Sequence, residues 1–370
     1  MIKGKEFLVK VLSIFGTRPE AIKMAPVVKE LEKRDNLESY VCVTAQHREM
    51  LDQILEIFDI KPDFDLNIMH EKQSICDITR RAMTGIYNLL GTLKPDLVLV
   101  HGDTTTAFCG ALSAFYQKIP VGHVEAGLRT NNIYSPYPEE FNREAISLIA
   151  KYNFAPTIQA KENLIKEGKT SDIIVTGNTS IDALKMIVDD TYENNIFDCA
   201  KGKKLILLTA HRRENLGKPM ENIFSAVNKI TEQRKDLHFI FPVHKNPLVR
   251  EIANKYFSGN AAVQMIEPLD VYNFQNIMAR CHFVLTDSGG IQEEAPGLGI
   301  PVLVLRDTTE RPEGIEAGTL KLVGTDSENI FNNVMQLLDS PEEYKKMSNA
   351  TNPYGDGFAS KRIVDYICEL

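Results

Sequence analysis

The feature that most constrains the fold is a regular alternation of short apolar runs and helical patterns. The runs have the length and the β-branched content of buried strands, and the segments between them carry apolar residues at helical spacing. The expected strands are residues 10–15, 40–45, 96–101, 120–124, 172–176, 203–209, 237–243, 282–286 and 301–305. Strands that alternate with helices in this way predict parallel sheets of the doubly wound α/β class.

The chain is long enough for two such sheets. Its 370 residues are 43% hydrophobic, which is enough apolar material for two cores. The alternation restarts after residues 176–180. We therefore predict two α/β halves, followed by a last amphipathic helix with Ile363, Val364 and Ile367 on its apolar face.

Charge and cysteine usage narrow the class of protein. A net charge of −8 argues against a nucleic-acid partner or an anionic membrane partner. No stretch approaches the roughly 20 apolar residues of a membrane span, and residues 1–10 lack a signal-peptide pattern. The six cysteines are scattered, without a C-x-x-C pair, which indicates reduced thiols. We expect a protein of the cytoplasm.

Residues 286–311 carry the strongest indication of a ligand. An apolar run ends at Asp287-Ser288-Gly289-Gly290, and a helical stretch follows. The first N–H groups of a helix bind phosphate, and glycines let an anion approach the backbone. Glu294 lies within reach of a ribose, and a charged segment, R-D-T-T-E-R-P-E, follows the next strand. The alternative is an ordinary glycine turn, but the charged segment favours a nucleotide-diphosphate site.

The turn after the first strand predicts a helix start beside two cations. Thr17 and Glu20 have capping-box spacing, and Pro19 suits the first helical turn. Arg18 and Lys23 flank this start. They either serve a phosphate or a carboxylate, or they are solvated surface charges.

Acidic side chains follow the next strands. Asp103 comes after the strand at 96–101, Glu125 after the strand at 120–124, and Glu139 lies in the loop beyond, with Arg143. Ligands of open α/β sheets bind beyond the carboxyl ends of the strands, so these acids are expected to converge. The alternatives are a helix N-cap for Asp103 and ordinary solvated acids for Glu125 and Glu139.

Several cofactor motifs are missing from the sequence. No G-x-G-x-x-G follows a strand, and the chain has no Walker A loop, no G-x-S-x-G and no zinc-ligand spacing. We therefore expect neither a dinucleotide nor a metal ion as cofactor.

Seven short blocks of the sequence, one after another along the chain, contain most of these candidate residues. They are F-G-T-R-P-E-A-I-K-M-A-P, V-H-G-D-T-T-T, G-H-V-E-A-G-L-R-T, S-P-Y-P-E-E-F-N-R, T-A-H-R-R-E-N, T-D-S-G-G-I-Q-E-E-A-P and R-D-T-T-E-R-P-E-G. In these blocks the chain resembles the non-hydrolysing UDP-N-acetylglucosamine 2-epimerases over residues 10–366.

The resemblance implies a fold and a reaction. Two Rossmann-like domains would face each other across a cleft, as in GT-B glycosyltransferases. Residues 1–177 would form the sugar side and residues 178–357 the UDP side, with the helix at 358–370 crossing back to the first domain. UDP-N-acetylglucosamine and UDP-N-acetylmannosamine would interconvert by elimination of UDP to 2-acetamidoglucal and re-addition, without NAD or metal. The resemblance further implies a homodimer that supplies N-acetylmannosamine-type sugars for cell-surface polysaccharide.

The resemblance also implies roles for individual residues. The catalytic candidates are Lys23, Asp103, Glu125, Glu139, Arg143 and His211. Contacts to UDP are expected from Arg18, His211, Phe274, Ser288, Gly289, Gly290, Glu294 and Arg311. Gln46, His47 and His244 match a second site, for an activating UDP-N-acetylglucosamine. Glu49 and Lys72 replace the usual glutamine and arginine, which weakens the case for activation.

Three other functions remain open at this stage. A GT-B glycosyltransferase would use the same nucleotide site with a separate acceptor. A hydrolysing epimerase would release free N-acetylmannosamine and UDP. A catalytically inactive nucleotide-sugar sensor is disfavoured by the presence of Asp103, Glu125 and Glu139.

Overall fold

The structure is a computed structural model that describes residues 8–45, 48–70, 73–309 and 311–370. The chain divides into two compact units, one formed by Met1–Lys185 with Gly355–Leu370 and the other by Met186–Tyr354. The sequence predicted boundaries at 177/178 and 357/358. The observed first boundary falls inside a helix, Thr179–Ile187, whose buried Asp182 accepts hydrogen bonds from the backbone of Ala359 and Ser360. This contact keeps most of the helix with the first unit.

The first unit alternates strands and helices. Its elements are β1 (Val9–Phe15), α1 (Arg18–Leu31), β2 (Leu37–Val43), α2 (Arg48–Ile57), β3 (Phe64–Asp65), α3 (Ile75–Leu93), β4 (Leu97–His101), α4 (Thr105–Tyr116), β5 (Val121–Val124), α5 (Glu139–Ile149), β6 (Tyr152–Ala155), α6 (Ile158–Lys166), β7 (Ile173–Val175) and α7 (Thr179–Ile187).

Parallel pairing orders these strands as β3-β2-β1-β4-β5-β6-β7. The central strands are buried on both faces, as expected where helices cover both sides of a parallel sheet. The helix predicted after the first strand is confirmed. Thr17 and Glu20 form the capping box, each side chain bonding the other residue's backbone N–H.

The second unit repeats the pattern. After a 3₁₀ turn at Asn195–Ala200, it contains β8 (Lys204–Thr209), a 3₁₀ turn at Arg213–Asn215, α8 (Lys218–Gln233), β9 (Leu237–Pro242), α9 (Pro247–Phe257), β10 (Val263–Ile266), α10 (Val271–Met278), β11 (Phe283–Thr286), α11 (Gly289–Gly297), β12 (Val302–Val304), α12 (Pro312–Glu316), β13 (Leu320–Leu322), α13 (Ser327–Asp339) and α14 (Pro341–Ser348). The strands are parallel, in the order β10-β9-β8-β11-β12-β13.

The last helix, α15 (Ala359–Cys368), belongs to the first unit and packs on α1. Asp365 on α15 forms a 2.7 Å ion pair with Arg34. The ring of Tyr366 meets Tyr152 and Phe154 edge-on. The predicted α/β class and the return of the last helix to the first unit are confirmed. The strands that the sequence did not predict, β3, β6, β10 and β13, are two to four residues long, and each contains a polar residue that interrupts its apolar run.

Candidate functional site

Two acids of the first unit lie at the carboxyl edge of its sheet. Strands β4 and β5 are parallel neighbours, with His101 paired to Val124. Asp103 follows β4 after one residue, and Glu125 follows β5 directly. The predicted convergence of Asp103 and Glu125 beyond neighbouring strands therefore has its structural basis in this register.

Glu125 lies against the nitrogens of two side chains. Lys23 of α1 donates to its Oε2, and His101 Nε2 lies 2.8 Å from the same oxygen. The Glu125 side chain is only 12% exposed. Although burial raises the pKa of Glu125, the charges of Lys23 and His101 outweigh it and hold that pKa below its ordinary value. Glu125 is therefore a carboxylate at neutral pH.

The backbone holds Glu125 in place as well. Its φ of +64° lies in the left-handed region, which is uncommon for a residue other than glycine. Gly127, with φ +90°, lets the same turn pass so close to α6 that a Cβ would lie 2.2 Å from the carbonyl oxygen of Ala160. The turn after β5 is thus held against α6, and its first residue is the acid.

Asp103 has the opposite electrostatic balance. Arg143 of α5 donates to its Oδ2, and Asn142 Nδ2 donates to its backbone oxygen at 2.8 Å. Burial raises the pKa of Asp103, the nearby charge of Glu125 raises it further, and Arg143 only partly offsets both. Asp103 thus takes up a proton at a higher pH than a solvated aspartate does.

The alternative that Asp103 caps a helix is wrong. The N-cap of α4 is Thr104, whose side chain accepts from the Ala107 N–H. The Thr104 hydroxyl also donates, over 2.5 Å, to the buried Glu20. The N-cap is therefore Thr104 and not Asp103. The Asp103 carboxylate makes no capping bond and pairs with Arg143 instead.

Two further predicted residues each begin a helix of the first unit. Arg18 is the half-buried first residue of α1, and Glu139 is the half-buried first residue of α5. Lys23 and Arg143 each pair with one of the two acids. The alternative of a solvated surface charge is therefore wrong for Lys23, whose side chain is 22% exposed and pairs with Glu125.

The second unit places a buried aspartate at the same edge of its own sheet. Asp287 follows β11 directly and is fully buried. Its Oδ2 accepts from the N–H groups of His211 and Arg212, at 2.9 and 2.8 Å, and from Asn215 Nδ2 at 3.0 Å. Asp287 thereby joins the turn after β8 to the turn after β11.

His211 is oriented by this aspartate and by a second histidine. Its Nδ1 lies 3.3 Å from Asp287 Oδ1, and its ring stacks on that of His244 at 5.6 Å between centroids. Burial lowers the pKa of His211, and neighbouring His244 and Arg212 act in the same direction. Together they outweigh the charge of Asp287, which raises that pKa. His211 is therefore neutral near pH 7 and presents one donor and one acceptor nitrogen.

The N-terminus of α11 has two guanidinium groups beside it. Ser288 occupies the N-cap position, but its side chain makes no capping bond. A Cβ added at Gly289 would lie 3.3 Å from Arg212 Nη2 and 4.0 Å from Arg311 Nη2. The first N–H groups of the helix, the Ser288 hydroxyl and two arginines together fit a diphosphate.

Two more of the predicted UDP contacts lie on helices α10 and α11 of the second unit. Glu294 is on α11, with Oε1 3.8 Å from the Cβ position of Gly290. Phe274 is half-buried on α10. Arg311 is anchored by Glu293, which accepts from its Nε.

The predicted second ligand site is described only in part. Gln46, His47 and Lys72 lie outside the described residues. Glu49 is exposed in the first turn of α2, and His244 is exposed after β9. His244 stacks on His211, a residue already predicted to contact the substrate.

Two further features of the described residues concern a metal site and a membrane-spanning helix. No group of three or more His, Cys, Asp or Glu side chains in the described part of the chain is arranged to hold a metal ion. None of the described helices has both the length and the apolar character of a membrane span.

Sequence reasoning missed three residues of these sites. His101 contacts Glu125, Thr104 caps α4, and Arg212 lies over the α11 N-terminus. All three lie inside the sequence blocks V-H-G-D-T-T-T and T-A-H-R-R-E-N. The signal was present, but a polar residue beside a better candidate is not distinguished by spacing alone.

Comparisons with known proteins show the family. Residues 29–368 match the model of a family described as UDP-N-acetylglucosamine 2-epimerase. The UDP-N-acetylglucosamine 2-epimerase of Bacillus subtilis is 62% identical, over 96% of this chain and 94% of its own length. A crystal structure of a UDP-N-acetylglucosamine 2-epimerase superposes with a TM-score of 0.93 at 59% identity, over 98% of this chain and 95% of that one.

A third relative carries a ligand. The UDP-GlcNAc 2-epimerase of Neisseria meningitidis, solved bound to UDP-GlcNAc, has a TM-score of 0.84 at 51% identity, over 98% of this chain and 100% of that one. The resemblance seen in the sequence is confirmed along nearly the whole chain. The chain belongs to the UDP-N-acetylglucosamine 2-epimerase family, whose members are isomerases.

Proposed function

We propose that this chain interconverts UDP-N-acetylglucosamine and UDP-N-acetylmannosamine by elimination and re-addition of UDP. The ligand of the Neisseria meningitidis relative, UDP-GlcNAc, supports the substrate. The observation that carries the mechanism is the pair Asp103 and Glu125, two acids beyond neighbouring strands whose surroundings shift their pKa values in opposite directions. Such a pair separates a proton-transferring acid from a permanent carboxylate.

The chemical steps follow from this separation. Asp103 accepts the proton from carbon 2, the electron pair of that C–H bond forms the C1=C2 double bond, and the bond from carbon 1 to the UDP oxygen breaks. Glu125 remains ionised and stabilises positive charge that develops on the ring. Re-addition of the UDP oxygen to carbon 1, with a proton delivered to the opposite face of carbon 2, gives the epimer. Glu139 is the candidate for that second proton.

We assign the leaving UDP to groups of the second unit. Negative charge grows on the diphosphate as the bond to carbon 1 breaks. The α11 N-terminus, Arg212 and Arg311 would stabilise that charge, and a neutral His211 would donate a hydrogen bond without a net charge. Glu294 is assigned to the ribose hydroxyls and Phe274 to the uracil.

The remaining expectations keep the status of predictions. They are a homodimer, a location in the cytoplasm, a product used for cell-surface polysaccharide, and independence of NAD and metal. For the activating second ligand, His244 is the one predicted contact that can be placed, and its stacking on His211 would connect the two sites.

Proton NMR of the protein with UDP-N-acetylglucosamine alone, in heavy water with a chelator, tests the proposal. We expect a mixture of the two UDP-sugars with deuterium at carbon 2, because a carboxylate exchanges its proton with solvent. Slow release of UDP and 2-acetamidoglucal is also expected. Free N-acetylmannosamine would indicate a hydrolase, and an unchanged spectrum would indicate a transferase or a sensor. Product that fully retains the original hydrogen at carbon 2 would contradict the solvent-exchange mechanism.

A further inference from the structure

A fully buried glutamate lies beside the proposed catalytic acids and has no role in the steps above. Glu140, the second residue of α5, has no exposed surface. Acidic side chains are rarely buried to this extent unless they are paired, because burial disfavours the charged form. The partners of Glu140 therefore indicate what it does.

Its two carboxylate oxygens have different partners. Oε1 accepts from the backbone N–H groups of Thr130 and Asn131, at 2.7 and 2.9 Å. Oε2 lies 3.1 Å from Nη1 of Arg143. One side chain thus joins the loop after β5 to the guanidinium group on α5.

The same guanidinium reaches Asp103 with its other nitrogen. Nη2 of Arg143 donates to Asp103 Oδ2, and the Arg143 side chain is 12% exposed. Arg143 is therefore shared between two carboxylates, one fully buried and one at the edge of the sheet. A guanidinium has the planar fork needed for such sharing, whereas an ammonium group does not.

We propose that Glu140 is a positioning residue for Asp103, which fixes Arg143 in the orientation that Asp103 requires and offsets its positive charge. This inference rests on the proposed proton transfer by Asp103. Without the Glu140 charge, Arg143 would act on Asp103 alone and would favour the ionised form too strongly for easy return of a proton.

Other charged groups also act on the Asp103 carboxyl group. Glu125, after β5, raises the pKa of Asp103, whereas Arg143 on α5 and His101 at the end of β4 lower it. Lys23 of α1 is engaged by Glu125, and Glu20 of α1 contacts Thr104. Glu140 acts on this balance through Arg143, so its effect is separable from that of Glu125.

The test compares Glu140→Gln with Glu144→Gln, a matched control on the same helix. In Glu140→Gln the new amide oxygen can still accept from the loop N–H groups, but the new NH₂ group would oppose the N–H of Arg143. In Glu140→Gln we expect the acidic limb of the pH profile of kcat/KM, which reports on Asp103, to move to lower pH by about one pH unit. We also expect kcat to fall about tenfold with little change in KM. Glu144→Gln should match the wild type.

Titration of a carboxyl-¹³C label at Asp103, assigned with Asp103→Asn, gives the same shift without any turnover. Glu140→Asp keeps the negative charge but has a shorter side chain, which holds Arg143 less well. In this variant the acidic limb of the kcat/KM profile should stay in place while kcat falls. If Glu140→Gln does not fold, Glu140→Asp decides: wild-type kcat would overturn the proposal. An unmoved Asp103 titration in a folded Glu140→Gln would also overturn it. Failure of the proposed function is distinct, because the wild type itself would then not give the deuterated mixture of the two UDP-sugars.

Discussion

At the scale of single residues, two carboxylates of similar chemistry acquire different properties from their neighbours. Glu125 is held ionised by Lys23 and His101, whereas burial and the charge of Glu125 raise the pKa of Asp103. The difference comes from where β4, β5, α1 and α5 place their side chains. A proton acceptor and a fixed negative charge can therefore act on one sugar without exchanging roles.

The pair makes a pH prediction. Because its pKa is raised, Asp103 loses its proton at a higher pH than a solvated aspartate, so activity that needs the carboxylate is lost as pH falls through that raised pKa. Asp103→Asn should abolish this acid limb and lower kcat by roughly 10²-fold or more. Glu125→Gln should also lower kcat, and it should move the limb to lower pH because the neighbouring negative charge is gone.

Measured pH profiles of kcat/KM check these outcomes. Glu162→Gln, an exposed change on α6, serves as the matched control. UDP affinity, measured by calorimetry, should be preserved in all three variants. A variant of Asp103 or Glu125 with near-normal turnover would remove that residue from the catalytic assignment.

At the scale of elements, the N-terminus of α11 is prepared for an anion by its neighbours. Asp287 holds the turn after β8 against the turn before α11, and this places Arg212 over Gly289. Arg212 also donates from Nε to the backbone oxygen of Asp287. The helix dipole and the arginine charge therefore act at the same point.

This arrangement predicts different effects for two adjacent arginines. Arg212→Ala should weaken UDP binding by about 1.5–3 kcal/mol, the usual contribution of charge-assisted hydrogen bonds. That corresponds to roughly a 10- to 150-fold rise in Kd. Arg213→Ala, which changes an exposed side chain one residue later, should leave Kd unchanged. Calorimetry with UDP and with uridine checks this, because uridine lacks the diphosphate. Equal losses in the two variants would contradict the assignment.

At the scale of the whole molecule, helices α3, α4 and α5 of the first unit carry large apolar side chains in contact with solvent. Leu148 is 80% exposed, Tyr116 60% and Phe115 53%, and Phe141 and Tyr87 are nearly half exposed. Neighbouring helices α3 and α4, and α4 and α5, pack against each other. Exposed apolar surface of this kind is typical of an association surface.

The homodimer predicted from the sequence is therefore expected to use these helices. Light scattering should give a mass of about twice the chain's 41.6 kDa. Leu148→Glu and Phe115→Glu should each shift the equilibrium towards monomer, because a buried unpaired charge is costly. Ile158→Glu, a change at a 69% exposed residue on α6, is the control. A wild type that remains a monomer at high concentration would refute the dimer.

The sequence by itself determined the class of fold and indicated most of the candidate site residues. Alternating strand and helix patterns arise from local periodicity, so the parallel α/β sheets, the Thr17 capping box and the turn at 287–290 were all predictable. The polar residues after each strand were predictable for the same reason, since ligand-binding residues of such sheets follow the carboxyl ends of strands.

Only the tertiary structure decided which groups share a contact. Glu125 is 102 residues from Lys23 in sequence, and Arg143 is 40 residues from Asp103. Sequence spacing has no information on such pairs, because they depend on strand order and on the packing of helices. Likewise, Thr104 rather than Asp103 caps α4, and Glu140 rather than solvent faces Arg143. The opposite pKa shifts of Asp103 and Glu125 follow from burial and from these contacts, and both exist only in the folded chain.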